Sequence, residues 1–246
     1  MNYRERIYER YSSVCKKTGS VFSETEARKY ADVYSRRLDG WLPQQKDAKI
    51  LDLGCGSGRM LFFLSKAGYS YVSGVDFSEE QVLLARQVTD NVAQGDFFEF
   101  IRGKIEEYDL ILAQNIIEHL SKDGAFELLD SCLRALRPGG RLILSTPNAE
   151  SPMFSSRRYG DFTHEICFTP PMLGQILEIV GFEGIALREM GPYCHGLISG
   201  IRRFLWSLIR RLIQLYNLVE VGHSASGVYT RDFLISGVKP PQHEGR

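Results

Sequence analysis

The sequence has no CxxC pair. Its five cysteines, at positions 15, 55, 132, 167 and 194, are irregularly spaced. They fit a reducing compartment better than a disulfide framework. An excess of charge of one sign is also lacking. Lys+Arg and Asp+Glu both number 30, so no basic excess marks a nucleic-acid surface and no nucleic-acid partner is expected. No run of about 18 uncharged apolar residues occurs, so no segment should span a bilayer. Met1-Asn2-Tyr3-Arg4-Glu5-Arg6 carries no apolar h-region. No secretory signal is therefore expected, and the expected location is cytoplasmic. Repeats and low-complexity tracts are absent. So is the Gly-Lys-Ser/Thr ending of a phosphate loop.

What is present is concentrated in residues 50–61, Ile-Leu-Asp-Leu-Gly-Cys-Gly-Ser-Gly-Arg-Met-Leu. A short apolar run carries an acid, Asp52, and leads into a turn with Gly54, Gly56 and Gly58. A helical pattern follows with Met60, Leu61 and Leu64. Glycines at a strand-to-helix turn let backbone pass close to a bound ligand, because no Cβ intervenes. The Gly-x-Gly-x-Gly spacing departs from the dinucleotide fingerprint, whose last glycine stands three residues on.

From Lys49 the chain alternates strand and helix signals. Strands are expected at Lys49–Leu53, Tyr71–Val75, Asn91–Gln94, Asp109–Ala113, Arg141–Ser145, Glu183–Arg188 and Val228–Val238. Helices are expected at Met60–Lys66, Glu79–Val88, Gly124–Leu136 and Pro171–Val180. Arg137-Pro138-Gly139-Gly140 reads as a turn. Such alternation implies one α/β domain with a mostly parallel sheet, and 246 residues suffice for its core. Residues 1–47 read as a helical cap, 48–238 as the α/β domain with an insert at 191–226, and 239–246 as a disordered tail.

Asp52-x-Gly54-x-Gly56-x-Gly58 resembles motif I of the class I S-adenosylmethionine-dependent methyltransferases. Other segments follow in that family's order. Val75-Asp76-Phe77 ends the second strand about 20 residues on, where an acid accepts hydrogen bonds from a ribose diol. Asp76 could instead cap the next helix, but Ser78 is the better placed cap. Gln94-Gly95-Asp96-Phe97 resembles the adenine-contacting segment, although Asp96 could also be a turn acid. Tyr108 through Asn115 resembles motif IV, and Leu136 through Gly140 completes the set. The resemblance covers roughly residues 45–190. It implies a Rossmann-like seven-stranded, mostly parallel sheet with helices on both faces and S-adenosylmethionine as cofactor. The cofactor residues it implies are Asp52, Gly54, Cys55, Gly56, Asp76, Phe77, Asp96, Phe97, Gln114 and Asn115. It also implies an N-terminal lid over cofactor and substrate.

Methyl transfer is an in-line displacement, so the enzyme must place a nucleophile and take its proton. Asn115-Ile116-Ile117-Glu118-His119-Leu120 follows the fourth strand, and ligands of open α/β sheets sit at the carboxyl ends of strands. His119 is of a residue type that titrates near neutrality and could act as base; equally, Glu118 and His119 could orient the loop and cap the helix. A second histidine stands in Asp161-Phe162-Thr163-His164-Glu165, ahead of Thr169-Pro170-Pro171. This stretch resembles the ubiquinone-biosynthesis O-methyltransferases. That family, and the small-RNA 2′-O-methyltransferases, hold a divalent metal through Glu-x-x-Glu-His and other groups. Glu118 and His119 match the last two positions, but Asn115 stands at the first, and an amide is a weaker ligand for a hard cation. The expected catalytic residues are His119, His164 and Glu118. No metal is the first expectation, with a site at Glu118, His119 and His164 as the alternative.

The insert has a helical repeat over 197–219. Ile201, Phe204, Leu205, Leu208, Leu212, Leu215 and Val219 share one face, with Arg203 and Arg210 opposite and Arg202 and Arg211 on the flanks. Four arginines and no acid suit a helix in an anionic membrane interface, and they exclude a transmembrane one. The rival is a lid or homodimer helix. The expected activity is O-methylation of a surface-glycan or lipid-linked saccharide in polysaccharide biosynthesis. A polyprenylated quinone precursor or other small molecule is the alternative. A non-catalytic cofactor-binding scaffold is the rival of a different kind.

Overall fold

The computed structural model describes residues 7, 21–223 and 226–241. The expected N-terminal cap falls largely outside these up to residue 20, as does the expected tail from residue 242.

Seven strands form one sheet: β1 (Lys49–Leu53), β2 (Tyr71–Asp76), β3 (Val92–Gln94), β4 (Tyr108–Gln114), β5 (Leu136–Pro147), β6 (Glu183–Glu189) and β7 (Asp232–Val238). Their order is β3-β2-β1-β4-β5-β7-β6. Pairs from β3 through β5 are parallel, and β7 runs antiparallel between β5 and β6. The order reverses beside β1, which opens a crevice at the carboxyl ends of β1 and β4.

Alternate residues of β1 feed two cores, as the pleat requires. Leu51 and Leu53 join Ile111, Leu128 and Leu142 on one face. Ile50 joins Leu110, Met60 and Leu61 on the other. The first core is covered by α5 (Lys122–Ala135) and α7 (Pro170–Val180). The second is covered by α2 (Arg59–Lys66) and α3 (Glu79–Ala85). Ahead of them α1 (Glu24–Arg37), capped by the Ser23 hydroxyl, lies on α2. Tyr34 meets Phe63 at 5.7 Å between ring centroids, and Arg59 bridges to Glu26 at 2.9 Å. Leu38 and Trp41, just beyond α1, are buried in the second core.

Several boundaries differ from expectation for local reasons. The final strand starts at Asp232 rather than Val228, because the Asn148 amide donates to the carbonyls of Val228 and Thr230 and holds them in a loop. Arg137–Gly140 does not leave the sheet. Leu136 already pairs with Tyr108, the register shifts, and Gly139 N–H donates to Lys239 O. Lys239 itself is ordered: its Nζ bonds Leu136 O at 2.8 Å and Glu106 at 3.2 Å. Two short helices escaped the pattern, α4 (Phe97–Ile101) and α6 (Phe154–Arg158). The insert carries one 25-residue helix, α8 (Leu197–Val221). Among the described residues, no helix is long and apolar enough to cross a membrane.

Candidate functional site

The three glycines after β1 have different duties. All take positive φ, at 61°, 52° and 82° for Gly54, Gly56 and Gly58. A Cβ on Gly54 would stand 2.7 Å from Ile116 Cδ1, and one on Gly58 2.9 Å from Ala85 Cα. Those two glycines let the loop after β4 and helix α3 pack close. At Gly56 a Cβ would make only ordinary contact, with Gln81 Oε1 at 3.5 Å, so no protein atom crowds this position.

Asp76, at the end of β2, faces this turn. Its Oδ2 accepts from Gly56 N–H at 2.8 Å and its Oδ1 from Ser78 N–H at 2.9 Å. Ser78 stands at the N-cap of α3, but its side chain makes no capping bond; the bond to Asp76 is made by its backbone N–H. Asp52 is buried, and its Oδ1 has no hydrogen-bond partner. Burial, then the neighbouring Asp76, pushes its carboxyl well above the usual range. Tyr34 of α1 is close enough for Asp52 to add to the burial that raises its phenol to about 12. Asp96 caps α4, accepting from Phe98 N–H through Oδ1 at 2.6 Å. Phe97 is half-buried against the core, Phe77 and Asp96 are exposed, and Cys55 is buried. Gln114 ends β4. Asn115 follows with φ 53°, a left-handed conformation that asparagine tolerates better than glutamate. An orphaned buried carboxyl oxygen, an uncrowded glycine and an acid held by backbone N–H groups together fit a ligand with a diol and a cationic end that would favour ionised Asp52, as S-adenosylmethionine has.

Asp76→Ala removes a charged acceptor, a bond worth about 1.5–3 kcal/mol. Affinity for S-adenosylmethionine should therefore fall by roughly one to two decades. Titration calorimetry giving equal affinity for both proteins would exclude Asp76 from the cofactor site.

Past Asn115 the chain makes one 3-10 turn, Ile117–His119. Glu118 points inward and is buried. Its Oε2 accepts from the Thr146 hydroxyl at 3.0 Å, while Oε1 has no partner. Burial raises this carboxyl to about 8, against the opposing pull of hydrogen bonds from backbone and Thr146. Glu118 O takes the N–H groups of Glu165 and Ile166, which pins the 157–166 loop to the end of β4. His119 and His164 thereby meet edge to face, with ring centroids 4.7 Å apart.

The hydrogen bonds around the two rings set their tautomers. The Thr163 hydroxyl donates to Asp161 Oδ1 at 2.6 Å, so toward His119 Nδ1, at 2.8 Å, it accepts. His164 Nδ1 lies 2.9 Å from Arg157 O, which can only accept. Both Nδ1 atoms therefore carry hydrogen, and each neutral ring keeps its lone pair on Nε2. Burial lowers the His164 pKa, favouring the neutral ring. One ligating atom from each of Glu118, His119 and His164 lies within 4.8 Å of the others. Such a group can move a proton or hold a divalent cation.

Sequence reasoning missed Thr163, Asp161 and Thr146 as members of this group. Asp161-Phe162-Thr163 did carry one signal: Asp161 Oδ1 also accepts from Thr163 N–H at 2.9 Å, the local bond that an Asp favours two residues on. Beyond His164 opens a cavity of about 520 Å³ lined by Arg158, Tyr159, Asp161, Phe162, His164 and Glu165. Phe162 and Tyr159 are strongly exposed on its rim.

Residues 22–187 match a family model described as a methyltransferase domain. The chain is 32% identical over 107 residues to the ubiquinone biosynthesis O-methyltransferase of Xylella fastidiosa, covering 41% of this chain and 42% of that protein. It is 30% identical over 115 residues to the one from Maricaulis maris, covering 44% and 43%. The match thus spans less than half the length of these relatives. Among solved structures, a SAM-dependent methyltransferase from Archaeoglobus fulgidus aligns at 23% identity with a TM-score of 0.63, covering 88% of this chain and 97% of that one. Phosphoethanolamine N-methyltransferase 2 of Haemonchus contortus, solved with S-adenosyl-L-methionine, aligns at 16% identity with a TM-score of 0.62, covering 95% and 60%. The chain belongs to the methyltransferase domain family and has the fold of the class I S-adenosylmethionine-dependent methyltransferases.

Proposed function

We propose that this protein methylates an oxygen of a surface-glycan or lipid-linked saccharide on the cytoplasmic side of a membrane. One observation carries the oxygen chemistry: two imidazoles and a buried carboxyl converge within 4.8 Å. Glu118 and His119 stand at the carboxyl edge of the sheet, just beyond Ile116, the residue packed on Gly54, and His164 meets them from the loop after β5. When bound, S-adenosylmethionine supplies an electrophilic methyl group on a sulfonium. Asp52, Asp76 and Asp96 orient that group, with Phe77 and Phe97 as apolar neighbours. His119, its Nδ1 held by Thr163, takes the proton of the acceptor hydroxyl on Nε2 as the oxygen attacks. His164 and the exposed rings of Phe162 and Tyr159 hold the acceptor. Arg202 and Arg211 of the 197–219 segment meet anionic lipid; a homodimer through the same segment is the rival.

A polyprenylated quinone precursor is the second acceptor, favoured by the relatives named above. A divalent cation on Glu118, His119 and His164 is a second use of the cluster, favoured by the partnerless buried Oε1 of Glu118. Mass spectrometry of glycans and quinones from the parent organism, with and without this protein, is the test. A methyl ether missing from the glycan supports the first acceptor, and one missing from the quinone the second. Loss of neither, with no turnover on any extract, would favour a cofactor-binding scaffold.

A further inference from the structure

Helix α8 is packed the wrong way round for a surface helix. A helix on a soluble domain normally turns its apolar stripe to the core and its polar side to water. Among the residues of α8, only Ser199 is buried. The side turned to the domain also carries half-buried Trp206, Ser207, Arg210, Ile213, Gln214 and Asn217, so it is more polar than apolar. Arg210 bonds Glu189 of β6 at 3.2 Å. This corrects the sequence reading, in which Arg210 lay in water or among head groups. The opposite side is apolar and open: Ile201, Phe204, Leu205, Leu212 and Leu215 are each at least half exposed, Leu212 at 66%.

We infer that this outward face is a docking surface for an anionic lipid bilayer, with the helix lying flat in the interface. Three observations favour that occupant over a second copy of the chain. First, Arg202 and Arg211 flank the apolar face, and the one acid of the helix, Glu220, stands in its last turn. A parallel second copy would set arginine against arginine, whereas anionic head groups neutralise both. Second, Ile201, Leu205, Leu208, Leu212, Leu215 and Val219 follow a heptad spacing, but Phe204, Ile209 and Leu218 widen the face beyond a two-helix seam. A pair would leave those exposed, and a planar interface covers them. Third, 25 residues make a helix about 37 Å long, docked beside the end of β6. That end lies on the same edge of the sheet as the histidine cluster, so a flat helix keeps the site near the lipid surface. The inference concerns binding, and its test reads no turnover, so it stands or falls apart from the acceptor.

The test is co-sedimentation of the full chain with vesicles of phosphatidylcholine alone and of phosphatidylcholine with phosphatidylglycerol. The expected result is binding to the anionic vesicles at low salt, weakened at high salt, with little binding to the neutral ones. Arg202→Gln with Arg211→Gln should weaken partition roughly 30-fold. Leu212→Glu should abolish it while the cofactor still binds, since an exposed side chain can be changed without unfolding the domain. The idea is overturned if wild-type protein ignores anionic vesicles at low salt, or if charge makes no difference. It is equally overturned if sedimentation velocity shows a dimer that Leu212→Glu dissociates and vesicles leave intact.

Discussion

His119→Ala and His164→Ala should each lower turnover by about 10²–10⁴ if the histidines move the acceptor's proton, while affinity for S-adenosylmethionine changes little. The geometry sets the expectation. The rings touch at 4.7 Å between centroids, and both hold Nδ1 in fixed hydrogen bonds. Alanine removes the Nε2 lone pair and leaves the Gly54–Gly58 turn untouched. Thr163→Val is a finer probe. Valine keeps the buried volume but cannot accept from His119 Nδ1, so His119 loses its fixed tautomer. Turnover should fall by less than in His119→Ala, and Thr163→Ser should restore it. Loss of activity in EDTA with recovery in Mg²⁺ would instead make the histidines metal ligands. Unchanged turnover in both alanine variants would return the pair to a structural role, holding the 157–166 loop on β4.

The centre of the sheet was legible because β1, β4 and the second half of β5 are apolar runs whose two faces are both buried. Lys49–Leu53 came out at its actual limits because a lysine opens it and the glycine turn closes it. The misplaced ends trace to forces a pattern does not show. A single side chain, Asn148, withholds residues 228–231 from β7. A bulge carries Pro138 and Gly139 inside β5, where the sequence says turn. The short α4 is capped by Asp96, a residue the sequence leaves open between a cofactor contact and a turn acid. The side-chain caps and relays of the site were the least legible part. Thr163, Asp161 and Thr146 act through hydroxyl and carboxylate partners brought together by the fold, and nothing in their spacing names His119 or Glu118 as the partner. The orientation of α8 was equally hidden. Periodicity gives a helix two faces, but only packing says which one meets the protein.

Glu118→Gln should stabilise the protein, and increasingly so as pH rises. In the fold this carboxyl keeps its proton up to about 8, because burial outweighs the hydrogen bonds that favour the anion. In the unfolded chain it ionises near its ordinary 4.5. Between those two values the folded state binds the extra proton, so raising pH drains stability until the folded carboxyl itself ionises. The loss is complete near pH 8 and absent below about pH 4.5. Glutamine has no proton to lose. It still offers Thr146 an acceptor oxygen, at the cost of one buried amide N–H₂ that must find a partner. The advantage at about pH 8.5 should be a few kcal/mol, on the order of 5–10 °C in Tm for a chain of this size, and near zero at about pH 5. Scanning calorimetry at the two values reads it directly. The same variant should lose turnover if the carboxyl serves the cluster, which would make Glu118 a group kept for chemistry at the expense of stability. A Tm difference that does not grow with pH would mean that Glu118 is already ionised in the fold and balanced by a cation. In that case EDTA should create the pH dependence that the wild-type protein lacks.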